Sequence, residues 1–409
     1  IWDQWCAYHR TNGVWENDKQ WGHIDATQSG WRALLRHAGM EGEYMASNVV
    51  QGAQSQAGAM PLRLASETVQ SDIPERAALG TFLTPADQSV YFQGCYWIES
   101  LGRILTPSNT LMDANRFNGT YGGRTFQLSN LADAKTTDEP WKAATRGLSY
   151  NIPRVHHTRF LPTLAHGAVV VDELGRRGVN TYRPIVTRPI AGDVSPWTDH
   201  LTRLFPNNRD REIVSSFMAF CVQYPGIKAG WAPLIQSVEG AGKTAFKLIM
   251  QAALGDTYIH GPNAAELVEG GGKFNGWLRN KLMIIVDEIR VNASDTRDLV
   301  EVLKPLITDS RVEVQSKGVD QDMQDNPTNW LMFTNYKDAL PINDNSRRFC
   351  IMYSAIQSAE HLERSGMTGV YFNQLFTWLR NGGASAVAAW LGAYAIPGEF
   401  SPLVSATRA

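Results

Sequence analysis

Cysteine is scarce and scattered in this chain: Cys6, Cys95, Cys221 and Cys350 lie far apart, with no Cys-x-x-Cys pair. That spacing argues against a disulfide framework and against a structural zinc site, and it suits a reducing compartment. Cys6 and His9 have metal-like spacing but no further partners to complete a ligand set. His156-His157 also has no Cys or acidic company and reads as a surface pair. No apolar run reaches membrane-spanning length, and no secretory signal is visible. The chain opens on Ile1 rather than Met, so we read it as a fragment or trimmed product and give the missing signal less weight. An excess of charge is missing too: 38 Lys and Arg stand against 40 Asp and Glu, a formal net charge of −2. An independent sequence-specific DNA binder is more often basic, whereas a protein that grips a polyanion through a few loops can stay near neutral. With 43% hydrophobic and 19% charged residues over 409 positions, the composition is that of a soluble protein of two to three domains.

What is there centres on Leu234-Ile235-Gln236-Ser237-Val238-Glu239-Gly240-Ala241-Gly242-Lys243-Thr244-Ala245-Phe246. An apolar strand enters a Gly-rich turn, then Lys-Thr, then a helix with apolar residues at helical spacing and Gly255 as its stop. Backbone N–H groups of such a turn and of the helix N-terminus cradle a β-phosphate. Lys243 reaches the β/γ oxygens, and the Thr244 hydroxyl ligates Mg²⁺. Candidate ATP contacts are Ser237, Gly240, Ala241, Gly242, Lys243 and Thr244, although the strict pattern asks for Gly where Ser237 stands.

Downstream, Leu282-Met283-Ile284-Ile285-Val286 is a continuous apolar run, as expected of a parallel strand buried on both faces, and it ends in Asp287-Glu288. In phosphate-loop ATPases the first carboxylate, here Asp287, holds Mg²⁺ and the second, here Glu288, polarises the attacking water. The 44 residues from Lys243 to Asp287 leave room for a helix, a loop and one strand. Val169-Val170-Val171-Asp172-Glu173 has the same texture but precedes the loop, so we assign it to a strand and turn elsewhere. A third strand, Trp330 to Thr334, ends in Asn335, an amide suited to orienting water near a γ-phosphate. Arg347-Arg348 follow just past this strand, a place that suits an arginine finger.

In this order the motifs resemble the superfamily 3 helicases, an AAA+ branch of viruses, phages and plasmids, and most closely the phage and plasmid primase-helicase group. The resemblance covers roughly residues 180 to 355. It extends to Phe274-Asn275-Gly276-Trp277-Leu278-Arg279-Asn280-Lys281 before the Asp-Glu strand. It also covers Leu303-Lys304-Pro305-Leu306-Ile307-Thr308-Asp309 with Val312-Glu313-Val314-Gln315-Ser316-Lys317-Gly318. In that family the last segment forms a channel-lining hairpin, which makes Lys317 the candidate DNA contact and Lys304 a weaker one. Arg348 fits the family's finger position, with Arg347 as the fallback. The resemblance implies an ATP- and Mg²⁺-dependent motor on single-stranded or forked DNA, a homo-hexameric ring and 3′-to-5′ travel. It further implies an upstream primase-polymerase domain in a longer chain, a host-cell cytoplasmic location and no membrane partner.

The expected fold is α/β, an AAA+ phosphate-loop ATPase core of parallel sheet flanked by helices. Residues 1–60 read as a small helical module and linker, with Trp2, Trp5, Trp15, Trp21 and Trp31 assigned to core packing rather than to a base-stacking platform. Residues 61–195 read as an α+β accessory domain with short strands including Tyr91-Phe92 and Tyr96-Trp97-Ile98. Residues 196–355 form the ATPase core, and 356–409 a helical segment whose tail from Pro397 frays. Two other readings share the nucleotide motifs: an AAA+ loader or initiator that assembles on DNA without unwinding, and a nucleotide-binding scaffold. A small-molecule kinase does not require the Asn335 strand or the paired arginines.

Overall fold

The computed structural model describes residues 79–185, 189–263, 266–267, 275–289, 296–315, 322–336 and 347–403. The module expected over 1–60 and the turn bearing Lys317 lie outside the described residues.

The centre is a five-stranded sheet, parallel throughout. In space the strands run Ile259–His260, Met283–Val286, Asn329–Thr334, Ala232–Gln236 and Phe349–Tyr353. The apolar runs that read as doubly buried strands are so: every residue of Ala232–Gln236, Met283–Val286 and Asn329–Thr334 is buried. Alternation across the pleat splits their side chains between two layers. Leu234, Ile284, Val286, Trp330 and Met332 face the helix Thr296–Thr308 through its Leu299, Leu303 and Ile307. On the other face Phe333 meets Phe246 of the helix Thr244–Leu254, which in turn meets Trp197 of the helix Ser195–Leu204. Parallel pairing forces each connection to cross over the sheet, so the carboxyl ends of all five strands, and the loops that follow them, gather on one edge. Among the described residues between Lys243 and Asp287 are the helix Thr244–Leu254 and a short strand, Ile259–His260, as their spacing allows.

Residues 79–185 form three small sheets with three short helices. Their core is aromatic: Phe92, Phe117, Tyr121 and Phe126 pack together. Tyr91-Phe92, read as a strand, instead closes the helix Pro85–Tyr91. A reciprocal Thr84–Asp87 capping box with Pro85 in the first turn starts that helix and overrides the aromatic β-propensity. Val169–Val171 lies in a separate sheet, antiparallel to Arg177–Asn180. Asp172 after it is spent on a turn, accepting from the Leu174 and Arg176 amides. His156 and His157 are half-buried rather than exposed.

After the last sheet strand come the helices Gly369–Trp378 and Ala384–Ala393, broken where Gly382 takes φ 107°. The tail expected to fray is docked as far as residue 403. The Trp231 indole donates to the Ser401 carbonyl, the Gly230 amide donates to that of Pro402, and Phe400 packs on Phe220 and Trp231. An aromatic anchor outweighs the short polar composition here. Among the described residues no helix is long and apolar enough to cross a membrane.

Candidate functional site

The turn after Ala232–Gln236 carries two positive-φ glycines, Gly240 at 78° and Gly242 at 85°, around a buried Ala241. Only glycine takes these angles without strain, and the alternation aims successive backbone N–H groups into one concavity. The helix that follows starts with Lys243 at its N-cap, and no side chain caps it. The Ala245 and Phe246 amides are spent on the Gly242 and Lys243 carbonyls, which leaves the Lys243 and Thr244 amides and the positive end of the dipole to meet an anion. Thr244 is exposed at that end, and Ser237 is buried beneath the turn, its amide bound to the Thr334 carbonyl at 3.1 Å.

Lys243 does not extend into solvent. Its ammonium donates to the side-chain carbonyl of Asn335, whose amide donates in turn to Glu288 Oε1 over a longer 3.4 Å. Burial pushes the lysine down to about 8, against the opposing pull of Glu288, Glu239 and Asp287. The carboxyl ends of three adjacent strands thus place Lys243, Glu288 and Asn335 in one chain of contacts. Asp287 and Glu288 are exposed immediately after the buried Val286, and the Asp287 carboxylate lies 4.0 Å from Lys247 Nζ. Thr244, Asp287 and Glu288 offer only hard oxygen donors, a set that fits Mg²⁺ sharing its shell with phosphate and water.

Arg347 and Arg348 are not brought to this cluster. The Arg348 carbonyl accepts from the amide of Ala232, the first residue of the strand whose far end carries the Gly-rich turn. The arginines therefore sit a strand length away, about 13 Å at ~3.3 Å per residue, on the opposite edge of the sheet. Arg347 is exposed, while Arg348 is half-buried with its Nε buried and unpartnered.

In the segment that resembles the family's extra motif, Arg311–Val314 pairs antiparallel with Asp322–Asp325. Asn275 grips the root of this pair, donating to the Glu313 carbonyl at 2.8 Å and accepting from the Gln315 amide at 2.9 Å. Lys304 lies in the helix before the hairpin and is paired with Glu301. Several residues at the site carried no assignment from sequence. Lys247, four positions after Lys243, shares its helix face, a spacing that makes it legible. Asn275 gave no local signal, because its partners are remote in sequence.

The family model that matches is a family of unknown function, DUF5906, over residues 235–348, from the turn to the second arginine. No curated protein matches the chain. Among solved structures, the apo NrS-1 C-terminal region (305–718) superposes with a TM-score of 0.56 at 16% identity, covering 74% of this chain and 67% of that one. An A-form apo structure of the same region gives 0.54 at the same identity and coverage. At this identity the likeness is one of fold. JCV helicase aligns with a TM-score of only 0.30 at 12% identity, over 49% of this chain and 54% of that one, too distant to argue from.

Proposed function

We propose that this chain is an ATP-hydrolysing DNA motor of the superfamily 3, AAA+ type, acting in phage or plasmid DNA replication as a ring of identical subunits. The observation that carries the reading is the convergence of Lys243, Asn335 and Glu288 at the carboxyl edge of the parallel sheet, above an uncapped helix and two positive-φ glycines. Gly240, Ala241 and Gly242 present backbone N–H groups to the phosphates, and the Lys243 ammonium exchanges Asn335 for the β/γ oxygens. Released from the lysine, Asn335 turns to the nucleophilic water, which Glu288 holds and polarises. Thr244 and Asp287 would hold Mg²⁺, which supplies charge neutralisation of the phosphates.

The opposite placement of Arg348 supports assembly. An arginine a strand length from its own subunit's site stabilises transferring phosphoryl charge only in a neighbour's. Lys317, in the segment joining the hairpin strands Arg311–Val314 and Asp322–Asp325, is the residue we assign to DNA backbone phosphates. That contact makes binding salt-dependent and sequence-tolerant. Glu288→Gln tests the central assignment. It should keep ATP binding and lose turnover, whereas turnover near the wild-type rate contradicts the role given to Glu288.

A further inference from the structure

His200 is fully buried behind the Gly-rich turn. An ideal Cβ added to Gly242 would lie 2.6 Å from its Cε1 and 2.9 Å from its Nε2, so the imidazole occupies the space a side chain at 242 would fill. Nδ1 shares a 2.9 Å hydrogen bond with the Tyr371 hydroxyl, and Nε2 has no partner. Tyr371 belongs to the helix Gly369–Trp378. Its ring carries the Arg203 guanidinium at 4.9 Å, and Arg203 donates to the Ser365 carbonyl. Phe372, the next residue on that helix, also lines the space beside Gly242, 3.1 Å from the same added Cβ. Trp197, one turn before His200, closes the other side against Phe246.

Leaving a buried imidazole nitrogen unpartnered is costly, and the nitrogen so left is the one packed against Gly242 of the turn. We propose that His200 is a positioning residue that couples the shape of the Gly-rich turn to the C-terminal helix Gly369–Trp378. The turn at Gly242 rests on the ring, the ring is held by Tyr371, and any change in the turn when phosphate enters is passed to that helix. The proposal rests on the nucleotide reading of the turn and adds to it the element that responds. Burial, aided by Arg203, holds the imidazole down to about 4, so the coupling acts through a neutral ring at physiological pH.

Hydrogen exchange with and without ATP on the full chain is the test, on wild type, His200→Ala and Tyr371→Phe, which removes only the hydroxyl. In the wild type ATP should slow exchange in both Thr244–Leu254 and Gly369–Trp378. In either variant the first protection should persist and the second should largely vanish, with ATP binding weakened about fivefold, the low end of coupling between sites. Protection of Gly369–Trp378 that is absent in wild type, or unchanged in a folded Tyr371→Phe variant, overturns the coupling. If ATP protects neither segment in wild type, the nucleotide reading itself fails.

Discussion

Arg159 and Asp325 form a two-pronged ion pair, Nε to Oδ2 at 2.6 Å and Nη2 to Oδ1 at 2.8 Å, with both side chains mostly buried. The pair joins the strand His157–Arg159 of the accessory region to the second strand of the hairpin. With Asn275 on the first strand, the hairpin root is held from two sides. Removing one partner leaves the other charge desolvated and unpaired, so Asp325→Ala should cost about 2–3 kcal/mol in urea unfolding. It should also lower DNA-stimulated ATPase more than basal ATPase. Equal loss of both rates would make the pair a mere staple.

Lys243 carries a second prediction. Its ammonium is already disfavoured by burial, so Lys243→Ala should abolish nucleotide binding while the melting temperature holds or rises. A folded variant that still hydrolyses ATP refutes the phosphate-loop assignment.

The same lysine sets a pH dependence. Held at about 8, it is charged below that pH, where affinity for phosphate should be flat. Above pH 8 each binding event must take up a proton, so ATP affinity should fall by up to about tenfold per pH unit. Titrations between pH 7 and 9 read this directly, and Lys243→Arg, charged throughout, should remove the slope. A flat wild-type profile contradicts the role of the ammonium.

Arg348→Ala and Lys243→Ala should each be inactive alone and partly active when mixed. In a randomly mixed ring about a quarter of the interfaces join an intact loop to an intact arginine. Absence of rescue would place the finger at Arg347 or assign Arg348 an intrachain role.

Much of this arrangement was legible in the sequence for one physical reason. Doubly buried parallel strands must be continuously apolar, so Leu234–Gln236, Met283–Val286 and Trp330–Thr334 announced themselves, and the polar residues after them had to lie on one edge. The contacts that hold the site were not legible. His200 against Gly242, Asn275 on the hairpin and Arg159 with Asp325 join residues 38 or more positions apart through side chains with no periodic signature. Local signals misled where capping chemistry or a single aromatic anchor outweighed composition, as at Tyr91-Phe92 and Phe400. Arg348 was recognised by its place past the Asn335 strand and directly before Phe349, but only the parallel register shows that this place is the far edge of the sheet.

The most direct measurement is the ATPase rate with and without single-stranded DNA, on wild type and Glu288→Gln in parallel. A DNA-driven motor should show turnover strongly stimulated by DNA in the wild type and lost in the variant. Turnover in the wild type that is indifferent to DNA would contradict the motor and favour a loader or scaffold that uses the same nucleotide site.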